Sequence, residues 1–281
     1  MNIAGHDIGV CSWSLAPKGT QDLIARVGEL GLQHVQLALG PLAQLDDKRK
    51  HQELGLLRDS GLTFTAGMIN YPDEDYTTIA SIRKTGGFVS DKAFPLRRQL
   101  AKAAGQLAVE MGITQISAHV GFIPPSSDPN YDRMAERLGE VASDFKSLGL
   151  TLLMETGQET APELLQFLND LSVNNVKVNF DPANMILYGA GDPIEAIGVL
   201  GRHIGHVHVK DATLSDTPGA AWGTEVPFGA GQVPPREFLR ALADAGYTGP
   251  LVIEREAGAR RMEDIRQAIQ TLETAATPPA A

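Results

Sequence analysis

Seven residues, Gly205-His206-Val207-His208-Val209-Lys210-Asp211, set two imidazoles, an amine and a carboxylate into a run that otherwise reads as a buried strand. In an extended chain successive side chains alternate between faces, so His206, His208 and Lys210 share one face and the valines the other. Three nitrogen bases on one side of a core-grade strand call for negative partners. The chain offers them at the ends of three other apolar runs: Glu155 in TLLMET, Asp181 in VKVNFD, and Glu254 with Glu256 in PLVIERE. Burying three carboxylates side by side costs many kcal/mol unless a cation balances them. Glu155, Asp181, His208 and Glu254 form an O3N donor set, hard enough for Mn²⁺ or Mg²⁺, with an imidazole that also admits Co²⁺ or Zn²⁺. Singly, each has a plainer use. Glu155 could cap a helix, Asp181 before Pro182 could begin a turn, His208 could be a hydrogen-bonded core histidine, and Glu254 could pair with Arg255 or Arg260. An acid, acid, base, acid series at four successive strand ends favours one shared cation over four separate accidents.

The elements that must position these groups alternate along the chain. Apolar strand patterns fall at 8–14, 34–39, 63–69, 114–120, 151–156, 176–181, 205–211 and 250–256, with amphipathic helical patterns between them. A helix–glycine–strand junction recurs in ELGL, DSGL, EMGI, SLGL and DAGY, so the repeating unit is strand then helix. Eight such units without a break in composition predict a single-domain (β/α)8 TIM barrel over residues 1–275, followed by a disordered tail at 276–281. A doubly wound open sheet fits less well, because CSWSLAPKG stands where a G-x-G-x-x-G would follow the first strand. Barrels of this class build their sites at the carboxyl ends of the strands. That rule adds His119, in SAHVGFIPP, as a further acid or base. Two long connections, 70–95 and 212–234, lie on the same side, and Gly86-Gly87 is a candidate hinge. Trp13 and Trp222 are candidates for stacking on a sugar ring, and Lys210 and Glu225 for contacting its hydroxyl or carbonyl oxygens. His206 reads as a satisfied core histidine, and Asp211 as an anchor for the loop or for Lys210.

The bulk composition narrows the function. The chain has 281 residues, 43% of them hydrophobic, and a formal net charge of −10, which disfavours a nucleic-acid surface. The densest basic run, Lys48-Arg49-Lys50, reads as a solvated helix face. One cysteine, Cys11, excludes an internal disulfide framework and suits a reducing compartment. With no basic-then-apolar leader pattern and no membrane-length apolar run, a cytoplasmic protein without membrane partners is expected.

The segments LMETGQET, NFDPANMILYGAGDP, HVHVKD, WGTEVPFGAGQVP and GYTGPLVIERE resemble the sugar phosphate isomerase/epimerase family, whose fold is the xylose isomerase-like TIM barrel. The resemblance runs from GVCSWS to the last helix and is similar in plan to D-tagatose 3-epimerase and inosose dehydratase. It implies one divalent ion, Mn²⁺ first among the candidates, held by Glu155, Asp181, His208 and Glu254. It also implies that Glu155 and Glu254 act as proton shuttles on opposite sides of a carbohydrate substrate, and it makes a homodimer or tetramer plausible. The sequence departs from the free-ketohexose epimerases at two places. Asn184 stands where D-tagatose 3-epimerase has a substrate-facing histidine, and KDAT replaces a Glu-x-x-Arg region. These differences point to a branch that also contains dehydratases and enzymes that cleave 3-keto-glycosides by β-elimination. The expected activity is therefore metal-dependent isomerisation or epimerisation of a keto-sugar through an enediolate. The alternative is a lyase acting on a 3-keto-glycoside or keto-inositol at the same site. No phosphate cradle is evident, since FGAGQ lacks a strand–helix setting and nearby arginines.

Overall fold

The computed structural model describes residues 1–277. Eight strands run parallel: β1 His6–Cys11, β2 His34–Ala38, β3 Thr63–Ile69, β4 Gln115–Ala118, β5 Thr151–Glu155, β6 Val176–Phe180, β7 Ile204–Val209 and β8 Leu251–Ile253. Each pairs with the next, and β8 returns to β1 with Leu251 opposite Ile8, which closes the barrel. Helices wrap the outside, as expected of a (β/α)8 TIM barrel. Their inward faces are apolar; helix Pro235–Asp244, for example, buries Phe238, Leu239 and Leu242. The five expected junction glycines, Gly31, Gly61, Gly112, Gly149 and Gly246, all have φ between +68° and +74°. Only a residue without Cβ makes that left-handed turn cheaply, so the helix is stopped and the chain redirected into the next strand.

Several strands end short of the sequence expectation, and at three of them the difference shapes the site. The first strand stops at Cys11, and Ser12–Leu15 coils into a 3-10 turn. Long-range bonds hold that turn: Ser12 Oγ accepts from Ala38 N–H, and Ser14 Oγ accepts from Arg255 N–H. The seventh strand stops at Val209, and Asp211–Thr213 instead pairs antiparallel with Thr224–Val226 inside the long connection. The eighth spans only Leu251–Ile253, with Glu254 leaving it as its N–H donates to Val209 O.

The connection after β3 is a clasped structure and not a hinge at Gly86-Gly87. It contains helix Ile79–Thr85. Gly87 has φ +51°, and a Cβ there would lie 1.9 Å from the carbonyl carbon of Val120. Gly87 N–H donates to Glu74 Oε1 at 2.7 Å, and Phe88 N–H donates to Val120 O at 2.7 Å. Buried Arg97 pairs with Asp73 at 2.8 Å and donates to Gly87 O, tying the loop's two limbs together. At the far end of the chain the last helix runs Arg261–Ala276. Positions 278–281 of the expected tail lie outside the described residues. Among the described residues no helix is long and apolar enough to cross a membrane.

Candidate active site

The carboxyl ends of β5 to β8 bring four side chains together at the barrel mouth. Nδ1 of His208 faces Glu155 Oε1 at 3.2 Å, Glu254 Oε2 at 3.3 Å and Asp181 Oδ2 at 3.4 Å. One ligand atom from each of the four lies within 4.8 Å of the others. Local chemistry sets each in place. Asp181 caps helix Pro182–Tyr188, its Oδ1 accepting from Asn184 N–H at 2.9 Å, so the plainer helix-cap use and the cluster use coexist on its two oxygens. Val252 and His208 are register partners across β7 and β8, which puts Glu254 two residues further toward the mouth.

The electrostatics are those of a cluster with excess negative charge. Burial pushes the Asp181 carboxyl above its usual range despite nearby Lys210. Burial opposes charge on Glu254 too, but Lys210 and His208 outweigh it and hold its pKa well below the ordinary value. For Glu155, His119 and His208 likewise overcome burial and lower the pKa. Burial disfavours an imidazolium at His208, yet Cys11 first, then Glu254 and Asp181, raise its pKa well above 6.5. Burial pushes the neighbouring Cys11 thiol up to about 12, so it is neutral and adds no charge at physiological pH. Three buried acids around one imidazole fit a divalent cation, and the second oxygen of Glu155 is buried without a hydrogen-bond partner among the described residues. The O3N set matches a hard divalent ion.

The remaining expected site residues divide by position. Trp13, carried over the mouth by its 3-10 turn, donates its indole N–H to Glu254 Oε1 at 2.7 Å. Lys210 is turned onto the acids, with Nζ 2.7 Å from Glu254 Oε2 and 3.1 Å from Glu256 Oε2. Asn184 bridges both sides, donating to Glu155 Oε1 at 3.3 Å and accepting from Lys210 at 3.4 Å. His119 Nε2 lies 3.4 Å from Glu155 Oε2. Glu225 is not turned toward the acids: its Oε1 accepts from Arg255 at 2.6 Å and from Glu256 N–H at 2.9 Å, clamping the long connection to the end of β8. Trp222 packs on Tyr188 with ring centroids 4.7 Å apart, in a small apolar cluster with Phe122, Ile79 and Ile82 that joins the connections after β3, β4, β6 and β7. Asp211 accepts from the N–H groups of Ala212, Gly229, Gly231 and Val233 in the long connection. Sequence reasoning missed Gln36 and Asn179, both fully buried against the other nitrogen of His208. The only signal for them was a polar residue inside an apolar strand.

A closed barrel with an acid-and-histidine cluster at its carboxyl end defines a metal-capable (β/α)8 enzyme site. The family model of the xylose isomerase-like TIM barrel matches residues 24–275, and the chain belongs to that family. It is similar to a xylose isomerase domain protein from Planctomyces limnophilus, with a TM-score of 0.82 and 32% identity over 90% of both chains. A D-psicose 3-epimerase from Ruminiclostridium cellulolyticum is 26% identical over 250 residues, covering 82% of this chain and 76% of that one. An inosose dehydratase from Serratia proteamaculans is 27% identical over 151 residues, covering 47% of this chain and 50% of that one. The relatives are named as epimerases and a dehydratase, and the chain is an enzyme.

Proposed function

We propose that the protein is a divalent-metal-dependent sugar isomerase or epimerase that moves a proton at the carbon beside a keto-sugar's carbonyl. The observation that carries this reading is the convergence of Glu155, Asp181 and Glu254 on Nδ1 of His208. The likeness to a D-psicose 3-epimerase supports the substrate class. The four residues would hold the ion, Mn²⁺ by preference, which supplies the Lewis acidity that makes a C–H next to a carbonyl removable. Glu155 and Glu254 do the proton work. Each keeps one oxygen in the cluster and turns the other outward, Glu155 Oε2 toward His119 and Glu254 Oε1 toward Trp13. One carboxylate takes the proton from carbon and the other returns it from the opposite side, which inverts that centre. Trp13 orients Glu254, and Lys210 holds Glu254 ionised so that it starts as the base. Both glutamates are only 5% exposed, so bulk water is kept from the carbanionic carbon. Cytoplasmic placement is part of the same reading, supported by the free, buried Cys11.

Proton NMR in D2O with a panel of ketoses and 3-keto-glycosides tests the proposal. The expected result is Mn²⁺-dependent deuterium incorporation beside the carbonyl with the skeleton and substituents intact, abolished in Glu155→Gln and Glu254→Gln. Release of water or an alcohol with formation of an enone would instead assign β-elimination. That second reading is supported by His119 beside Glu155 and by the inosose dehydratase relative.

A further inference from the structure

The side of His208 that faces away from the acids is as fully built as the side that faces them. A neutral imidazole carries one N–H and one lone pair, and only the lone pair can bind a cation. For Nδ1 to serve the acid cluster, the ring proton must sit on Nε2, deep in the barrel, and it must find an acceptor there. Gln36 Oε1 lies 2.6 Å from Nε2. The same oxygen accepts from the Cys11 thiol at 3.5 Å, and Cys11 and Gln36 are direct register partners across β1 and β2. The thiol also lies 3.6 Å from Nε2 itself, so both groups crowd the one Gln36 oxygen. A second amide, Asn179, turns its Nδ2 to 3.2 Å from Nε2 and its Oδ1 to His206 Nδ1 at 2.7 Å, so among the described residues Gln36 Oε1 is the one oxygen at that nitrogen. His206 in turn meets Thr65 Oγ1 at 3.0 Å. Gln36, Asn179, His206 and His208 are all 0% exposed, so bulk solvent reaches none of them.

We propose that Gln36 is a positioning residue that fixes the ring tautomer of His208: its Oε1 takes the Nε2 proton and leaves the Nδ1 lone pair aimed at Glu155, Asp181 and Glu254. The Asn179–His206–Thr65 chain braces the ring from below. The alternative tautomer would set Nε2 lone pair against Gln36 Oε1 at 2.6 Å, acceptor against acceptor, and would put a proton where the cation belongs.

This inference rests on the metal-binding reading above, and its test separates the two. Mn²⁺ affinity is measured by calorimetric titration for the wild type, Gln36→Met and Gln36→Glu. Long-range ¹H–¹⁵N NMR of the Mg²⁺-loaded wild type reports which ring nitrogen of His208 is protonated. We expect the proton on Nε2, a roughly 10- to 100-fold weaker Kd for Gln36→Met, and recovery to within a few-fold for Gln36→Glu, which restores an acceptor. Equal affinity in Gln36→Met, or a loaded wild type protonated at Nδ1, overturns the inference while leaving the metal reading intact. A wild type that binds no divalent ion overturns the metal reading itself. Should Gln36→Met fail to fold, the wild-type NMR result decides alone.

Discussion

Replacing Asp211 by asparagine probes how the long connection after β7 is held over the site. The carboxylate is fully buried and accepts four backbone N–H groups. Oδ1 takes Ala212 at 2.8 Å and Val233 at 2.9 Å; Oδ2 takes Gly229 and Gly231, each at 2.9 Å. Asparagine keeps one oxygen but turns an NH2 toward two of those donors, so two bonds to a charged acceptor are lost. At about 1.5–3 kcal/mol each, the expected cost is about 3–6 kcal/mol. With about 2–4 °C per kcal/mol for a domain of comparable size, the melting temperature should fall by on the order of 10 °C. A longer acid does not rescue it, because a Cβ on Gly231 would already lie 2.3 Å from Asp211 Oδ1 and leaves no room for another methylene. The loop also carries Glu225, whose bonds to Arg255 and Glu256 meet the end of β8, so KM should rise more than kcat falls. Calorimetric melting at fixed metal and protein concentration is the assay. A shift under about 2 °C would refute the reasoning, because it would mean the four N–H bonds are not what fastens the loop.

Three further outcomes follow from the same structure. Gly87→Ala should destabilise severely, by about 3 kcal/mol or more, because the new methyl meets the Val120 carbonyl and φ is positive; denaturant titration checks this, and an unchanged midpoint contradicts the clasp. Lys210→Met should destabilise the metal-free protein by about 3–5 kcal/mol by stranding Glu254 and Asp181, and Mn²⁺ should restore more stability in the variant than in the wild type. His208 has a raised pKa, so it is protonated in the metal-free protein near neutrality, and its proton must leave before Nδ1 can bind a cation. Mn²⁺ binding should therefore release protons and tighten as pH rises toward the raised value of His208, read as buffer-dependent heats of binding; identical heats in buffers of different ionisation enthalpy would contradict it. The linked stability has a matching sign. The contribution of His208 to the metal-free fold is complete below its unfolded value of 6.5 and is lost as pH rises through the higher folded value.

What could be read in the sequence was what local spacing determines. The junction glycines announce their own φ, and the strand-end acids announce themselves because a carboxylate closing an apolar run is costly without a partner. Strand ends were less legible where distant groups decide them. Ser12 and Ser14 leave the first strand because Ala38 and Arg255 offer them N–H groups, one 26 and the other 241 residues away. The pairing of Glu225 with Arg255 was not legible because Arg255 lies on the next βα unit. Gln36 in HVQLAL was indistinguishable from a polar residue on a partly solvated strand until the barrel closed and set it beneath His208. Gly86-Gly87 illustrates a different ambiguity, since a glycine pair that permits motion and one that permits close backbone contact read alike.

Diffraction from Mn²⁺-soaked crystals at the manganese absorption edge tests the central claim most directly. The account predicts one anomalous peak within bonding distance of Glu155, Asp181, Glu254 and Nδ1 of His208, absent when the crystals are treated with chelator. Manganese found elsewhere, or a cluster that stays closed on itself with no peak at saturating ion, would contradict it.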